Sequence, residues 1–291
     1  TPCGTLFPYT TLFRSGIRED MAEALKDAEI AVLASPCQYY RQVLDSIPRH
    51  ACSPDLLFVN VAKGIEVGTL RRPGQIVAEV LGDVPYACLS GPSHAEEVAV
   101  QVPTAVVAAS AQIRWAQRVQ RVFSNETFFR VYTSDDVVGV ELGGALKNVF
   151  ALAAGICDGM RLGDNSKAAL MTRGIAEMAR LGGALGGKPE TFAGLSGVGD
   201  LIVTCMSRHS RNRHVGEELG KGRDLDEIVE EMEMAVAEGV KTTASAYELA
   251  GQKHIEAPII DQMYHALYDN RDPREAARAL MTRPPKPETP L

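Results

Sequence analysis

The stretch Leu56-LFVNVA-62, followed at once by Lys63-Gly64, decides the fold. Seven residues with one polar member are too short and too β-branched for a buried helix and too continuous for a half-exposed strand. They read as a strand covered on both faces. Four more runs of the same character surround it: Glu29-IAVLAS-35, Tyr86-ACLS-90, Thr104-AVVAAS-110 and Thr127-FFRVY-132. Between them lie amphipathic stretches at 39–47, 75–81, 94–98 and 112–123. Such an alternation predicts a parallel sheet with helical crossovers, that is, an α/β domain over 17–133. Ligands of such sheets sit at the carboxyl ends of the strands. That rule points to three loops: Ser35-Pro36-Cys37-Gln38, Ala62-Lys63-Gly64 and Ser90-Gly91-Pro92-Ser93.

From about Ser134 the β signal stops and helical periodicity takes over. Helices are expected over 136–159, 167–185, 193–204, 211–220, 225–234, 242–254, 257–268 and 273–281, giving an all-α second domain over 134–283. Residues 284–291, rich in proline, are expected to form a disordered tail. At the other end, TPCGTLFPYTTLFRSG (1–16) has no periodicity and no signal-peptide layout. It reads as a non-native segment joined near Gly16, the alternative being a disordered native terminus.

The chain has 291 residues, with 30 Lys+Arg against 37 Asp+Glu for a net charge of −7. That balance speaks against nucleic acid and anionic membranes as partners, while leaving room for a small anion held by a few convergent cations. Six cysteines (3, 37, 52, 88, 157, 205) form no CxxC pair and read as free thiols in a reducing cytoplasm. Six histidines (50, 94, 209, 214, 254, 265) show no metal-ligand spacing, so no metal is expected. The apolar run from Val137 to Cys157 could span a bilayer by length. It carries Glu141 and Lys147, however, and each central charge costs about 2.5–3.5 kcal/mol to insert. A buried helix, with no membrane span, is the expectation.

Candidate chemistry begins within that run, in Glu141-LGGALKNVFALAAG-155. A lysine and an asparagine in a small, apolar helix are costly unless paired or facing a cleft. Snorkelling to the surface is the alternative, weakened by the lack of a polar face around them. Desolvation would lower the Lys147 pKa toward the range of acid–base catalysis. Lys63 at a strand end could equally be solvated, although Gly64 allows close approach to a ligand. Gly91-Pro92-Ser93 offers free N–H groups to an anion, or a plain turn with a serine cap. Asp200, in Gly194-LSGVGDLIVTC-205, opens a helix and could be a simple cap. In Ser210-Arg211-Asn212-Arg213, Arg211 could clamp a phosphate, though such a run is often a solvated loop. No GxGxxG occurs anywhere in the chain.

Together these pieces resemble the NAD(P)-dependent glycerol-3-phosphate dehydrogenases of the bacterial type, from about Ile17 to Arg283. The resemblance rests on Ala62-Lys63-Gly64-Ile65-Glu66, Ser90-Gly91-Pro92-Ser93-His94-Ala95, Val138-GVELGGALKNVFALAAGICDG-159, Gly197-VGDLIVTC-205, Ser210-Arg211-Asn212-Arg213 and Glu238-Gly239, in family order. It implies a Rossmann-type domain followed by a helical one, with NAD(P) as cofactor and a small phosphate as substrate. The implied reaction is hydride transfer between the nicotinamide and C2 of dihydroxyacetone phosphate, giving sn-glycerol 3-phosphate for phospholipid synthesis. The implied assembly is a homodimer. By motif, Lys147, Lys63 and Asp200 are the catalytic group, with Lys147 exchanging the proton at the C2 oxygen. Substrate is assigned to Lys63, Gly91, Ser93, Asn148, Thr204, Ser210, Arg211 and Asn212. Cofactor is assigned to Lys63, Ala95, Arg211, Val236 and Glu238. Family members open with strand, glycine-rich turn and helix, and residues 1–16 stand in their place. The sheet is therefore expected to be incomplete, without its first βαβ unit. Two rival readings follow: a fragment that binds substrate without turnover, and another dehydrogenase of the 6-phosphogluconate or β-hydroxyacid type.

Overall fold

The computed structural model describes residues 18–49, 52–232 and 237–288. The expectations for residues 1–16 and for Val236 lie outside the described residues. The first half runs α1 (Met21–Leu25), β1 (Ile30–Leu33), α2 (Tyr40–Asp45), β2 (Leu57–Asn60) and α3 (Pro73–Leu81). It continues through β3 (Tyr86–Ser90), α4 (Ala95–Ala99), β4 (Thr104–Ala109), α5 (Ile113–Phe123) and β5 (Phe129–Ser134). The strands form one sheet in the order β1-β2-β3-β4-β5.

All four residues of β2 are buried, as a strand with both faces covered requires. Phe58 packs on one face with Tyr40 and Leu44 of α2 and Ile76 and Val77 of α3. Its neighbours Leu57 and Val59 face the other way, onto Val106, Ala108 and the α5 residues Ala116 and Val119. Alternate side chains thus serve two cores.

The sheet departs from the purely parallel arrangement at one joint, where β3 and β4 pair antiparallel. The other three pairs are parallel. A parallel return is usually made by a crossover of a dozen or more residues built around a helix. The link from Gly91 to Pro103 contains only the five residues of α4, about 7.5 Å of helix at 1.5 Å per residue. With so short a helix between them, β4 starts at the end of the sheet where β3 finishes and runs in the opposite sense.

The second half is helical: α6 (Val137–Gly159), α7 (Asp164–Ala184), α8 (Pro189–Phe192), α9 (Asp200–Met206), α10 (Arg211–Gly220), α11 (Leu225–Glu231), α12 (Glu238–Gln252), α13 (Pro258–Tyr268) and α14 (Pro273–Met281). The tail residues 284–288 are exposed. Lys286 meets Glu256 at 3.1 Å and Arg173 donates to the Glu288 carbonyl at 3.4 Å.

Helix α6 is the axis of this domain. Asp136 caps it, accepting from the Gly139 N–H at 2.8 Å, and also accepts from Lys188 N and Thr191 Oγ1. Every residue from Gly139 to Ile156 is buried. The helix is long and apolar enough to cross a membrane, but protein covers it on all sides. Its glycines let neighbours come to backbone contact. A Cβ on Gly155 would strike the Arg213 carbonyl of α10, and one on Gly216 would strike the Leu152 carbonyl of α6.

Overpacking at such a crossing costs about 1–3 kcal/mol, so Gly155→Ala and Gly216→Ala should each lower the urea midpoint. Gly251, on α12, has open space around its missing Cβ. Gly251→Ala should therefore gain about 0.5–1 kcal/mol, the usual helix advantage of alanine over glycine. Equal responses at all three positions would refute the close crossing.

Candidate active site

The site is assembled from the carboxyl ends of the parallel strands and from α6, α9, α10 and α12. At the end of β2 the Asn60 amide makes the turn: its Oδ1 accepts from the Ala62 N–H at 2.9 Å and from the Tyr40 hydroxyl at 2.8 Å. The chain then projects Lys63 toward the helical domain. Gly64 is needed here, because a Cβ would lie 2.7 Å from that of Cys37. Gly91, at φ +139°, lies against the backbone of Val106.

The Asp200 carboxylate receives two lysines. Oδ2 accepts from Lys63 Nζ at 2.6 Å, and Oδ1 accepts from Lys147 Nζ. Lys147 also donates to Thr204 Oγ1 at 2.7 Å, and Lys63 to the Gly91 carbonyl at 3.3 Å. Asp200 is 1% exposed and Lys147 5%, so the group is removed from water almost completely. Asp200 opens α9 yet caps nothing; its carboxylate is committed to the two ammoniums. Before it, Leu195–Gly199 forms a wide helical turn whose Gly197 permits contact with the Phe192 backbone.

These contacts set the proton affinities. Burial pushes the Asp200 carboxyl up, but the Lys147 and Lys63 ammoniums outweigh it and hold the group below the usual carboxylate range. Burial and the neighbouring Lys63 ammonium lower Lys147 and Asp200 raises it, which together bring it to about 8. A lysine near 8 exchanges its proton readily at neutral pH.

The remaining candidates lie around this core. Ser93 Oγ donates to the Gly91 carbonyl at 3.1 Å. Asn148 is buried one residue along α6 from Lys147. Ser210 caps α10, its hydroxyl accepting from the Arg213 N–H at 3.1 Å. Asn212 is buried and accepts from the Gly239 N–H at 2.9 Å. Arg211 and Ala95 are exposed at the first positions of α10 and α4. Glu238 opens α12; burial raises its carboxyl, opposed by the Cys37 backbone N–H and by Arg211, Lys63 and Lys147. The structure thus brings Lys63, Lys147, Asp200, Thr204 and Gly91 into direct contact and sets Asn212 and Glu238 beside the start of α12.

Two buried hydroxyls next to Lys63 and Gly64 have no partner: Ser90 Oγ and Thr242 Oγ1. Neither stands out in the sequence, since a lone Ser or Thr within an element is unremarkable. Orphaned hydroxyls and ammoniums at the carboxyl ends of parallel strands suit the polar end of a nicotinamide cofactor and its substrate. No GxGxxG is present to cradle a pyrophosphate.

Comparison with known proteins decides the lineage. Residues 15–116 match the family model for the NAD-dependent glycerol-3-phosphate dehydrogenase N-terminus, and residues 136–278 match that for its C-terminus. The chain belongs to the NAD-dependent glycerol-3-phosphate dehydrogenase family. It is 52% identical over 272 residues to glycerol-3-phosphate dehydrogenase [NAD(P)+] of Geobacillus kaustophilus, covering 93% of this chain and 78% of that protein. The crystal structure of glycerol-3-phosphate dehydrogenase from Coxiella burnetii superposes with a TM-score of 0.86 at 38% identity, covering 91% of this chain and 80% of that one. The yeast (Saccharomyces cerevisiae) glycerol-3-phosphate dehydrogenase superposes at 0.78 with 26% identity, over 90% and 78%. This glycerol-3-phosphate dehydrogenase family member therefore has the Rossmann-type domain followed by a helical domain, and NAD(P) as its cofactor.

Because Asp200 holds the Lys147 proton on, Asp200→Asn should move the Lys147 titration below about 8. Reductive methylation with 13C-formaldehyde followed by NMR titration reads this without cofactor or substrate. A titration that stays in place would show that the carboxylate does not govern Lys147.

Proposed function

We propose that the chain catalyses reversible hydride transfer between NAD(P)(H) and C2 of dihydroxyacetone phosphate, giving sn-glycerol 3-phosphate. The buried cluster of Lys147, Asp200 and Lys63 carries this reading, within a chain of the glycerol-3-phosphate dehydrogenase family. When bound, the nicotinamide supplies the hydride in reduction and takes it in oxidation.

During reduction negative charge develops on the C2 oxygen. Lys147 donates its proton there, and the Lys63 ammonium stabilises the charge as it forms. Asp200 keeps both ammoniums aimed and cationic until substrate arrives. Thr204 holds the Lys147 ammonium in register from the side, at 2.7 Å. In oxidation the neutral Lys147 amine takes the proton from the C2 hydroxyl. Gly91, Ser93 and Asn148 border the reacting carbons.

The phosphate belongs at the N-terminus of α10, where free N–H groups and Arg211 coincide. Asn212 uses its carbonyl on Gly239, which leaves only its amide N–H groups to donate to an anion. Ser210 contributes chiefly by capping the same helix end. Lys63, Ala95, Arg211, Val236 and Glu238 are assigned to the cofactor. The product supplies glycerophospholipid synthesis in the cytoplasm, and the working unit is a homodimer. The five described cysteines, 37, 52, 88, 157 and 205, are all free thiols, which suits a reducing compartment. The second reading is a chain that binds the phosphate substrate without turnover.

NADH consumption with dihydroxyacetone phosphate separates the two. The kcat for reduction should fall above about pH 8 and that for oxidation should rise toward the same value, following the Lys147 proton. Lys147→Ala should lower kcat about a hundredfold or more, the range of general acid–base catalysis, with KM changed only a few-fold. Substrate binding without any turnover would establish the second reading.

A further inference from the structure

Lys63 can press on Asp200 only if the loop beneath it is fixed. Past the end of β2, two side chains from outside the loop do the fixing. Gln38, on the turn after β1, donates from Nε2 to the Ile65 carbonyl at 2.9 Å and accepts at Oε1 from the Val67 N–H at 3.0 Å. Ser245, midway along α12, donates from Oγ to the same Ile65 carbonyl at 3.2 Å and lies 3.4 Å from the Glu66 carbonyl. Ser245 is 1% exposed and Ile65 is fully buried. A carbonyl has two lone pairs and can take both donors. One comes from the sheet domain and the other from the helical domain. The Lys63 loop is thereby gripped where the domains meet, two residues beyond the lysine.

The grip has a second anchor on the sheet side. Arg41 forks onto Glu66 at 3.1 and 2.8 Å and continues to Glu79. On the helical side, α12 also presses Thr242 against Gly64 and begins with Glu238. The Ser245 hydroxyl, buried at the junction, would be wasteful as mere packing, since an alanine would fill the same space without desolvating a polar atom. The half-buried Gln38 amide spends both its donor and its acceptor on the same loop.

We propose that Gln38 and Ser245 are positioning residues that together hold the Lys63 ammonium against Asp200 by fixing the Ile65 carbonyl from both domains. The proposal rests on Lys63 belonging to the reaction site. Loss of either donor frees the loop, so Lys63 spends less time on Asp200. Lys147 then keeps its proton more tightly, because Lys63 is one of the groups that lowers it. The other charged or titratable groups facing Lys147 are Asp200 and Cys205 of α9, His94 before α4 and Glu238 of α12. None of them is itself substituted below.

Gln38→Ala, Ser245→Ala, Lys63→Met and the two doubles with Lys63→Met test this in the full chain. Calorimetry gives affinity for dihydroxyacetone phosphate, and steady-state rates give the pH profile of reduction. Each clamp variant should weaken binding about three- to tenfold and move the alkaline limb upward, while adding less than about twofold once Lys63 is gone, as coupled residues do. Gln38→Met keeps the length of the side chain without adding charge and removes both of its backbone hydrogen bonds, so it should repeat the Gln38→Ala effect without a cavity. Equal losses with and without Lys63 would overturn the clamp and leave the site reading intact. If Lys63→Met changed neither affinity nor rate, the site reading would fall first, and the clamp with it.

Discussion

Two lysines from different domains share one buried carboxylate, and most of the structure serves that arrangement. Asp200 gives one oxygen to Lys147 of α6 and the other to Lys63 of the β2 loop. Two ammoniums against one carboxylate leave the site with a surplus positive charge. Removing one member of a buried ion pair typically costs about 3–5 kcal/mol. The carboxylate therefore does more than hold one lysine: it ties the sheet domain to the helical domain through groups that cannot be left alone. A docked anion would relieve the surplus.

Helix α6 is what brings the partners to the same point. At its middle Lys147 meets Asp200, and near its start Glu141 reaches back to the sheet domain. The buried Glu141 carboxylate accepts from the Gly74 N–H at 2.8 Å, from the Tyr86 hydroxyl and from Arg72. One helix thus carries a structural carboxylate fixed to α3 and β3 and, six residues on, the buried Lys147. Its glycines matter for the same reason. Gly143 lets the turn before Asp200 approach, since a Cβ there would lie 2.5 Å from the Ser196 carbonyl. Larger residues would hold α9 away and open the Lys147 to Asp200 contact.

The two-domain plan was legible in the sequence because it rests on periodicity. The continuous run around Phe58 and the shift to helical spacing after Ser134 both reappear as elements within a few residues of the expected bounds. Lys147 was legible as an ionisable residue that its surroundings could not solvate. The antiparallel joint between β3 and β4 was not, because an apolar run carries no direction; only the shortness of α4 reveals it. Asp200 was ambiguous for a similar reason. Helix starts favour aspartate for capping, and nothing local distinguishes a cap from a carboxylate awaiting two distant lysines. Ser210 is the mirror case, a residue of the phosphate-like run whose hydroxyl serves as a cap. Gln38 and Ser245 were silent, since their partner is a backbone carbonyl and their meaning lies in contacts 27 and 180 residues away in sequence.

Charge, more than concavity, marks the site. A cleft of about 560 Å³ lies between α12 and α13, lined by Tyr247, Glu248, Glu256, Pro258, Asp261 and Arg283, among others. It is roomy enough for a small phosphate ester, yet three carboxylates face it. Arg283, the one cation in its lining, is already paired with Glu256. A dianion entering there would meet repulsion with no free cation to offset it. In the Lys63–Lys147 site the balance is reversed: the cations outnumber the carboxylate and are shielded from water, where each Coulomb contact is worth more than at the surface. An overall charge of −7 is compatible with an anionic substrate on these terms. The negative surface repels diffuse polyanions, while the Lys63 and Lys147 ammoniums, with Arg211 at the start of α10, gather positive charge of the kind a small anion needs.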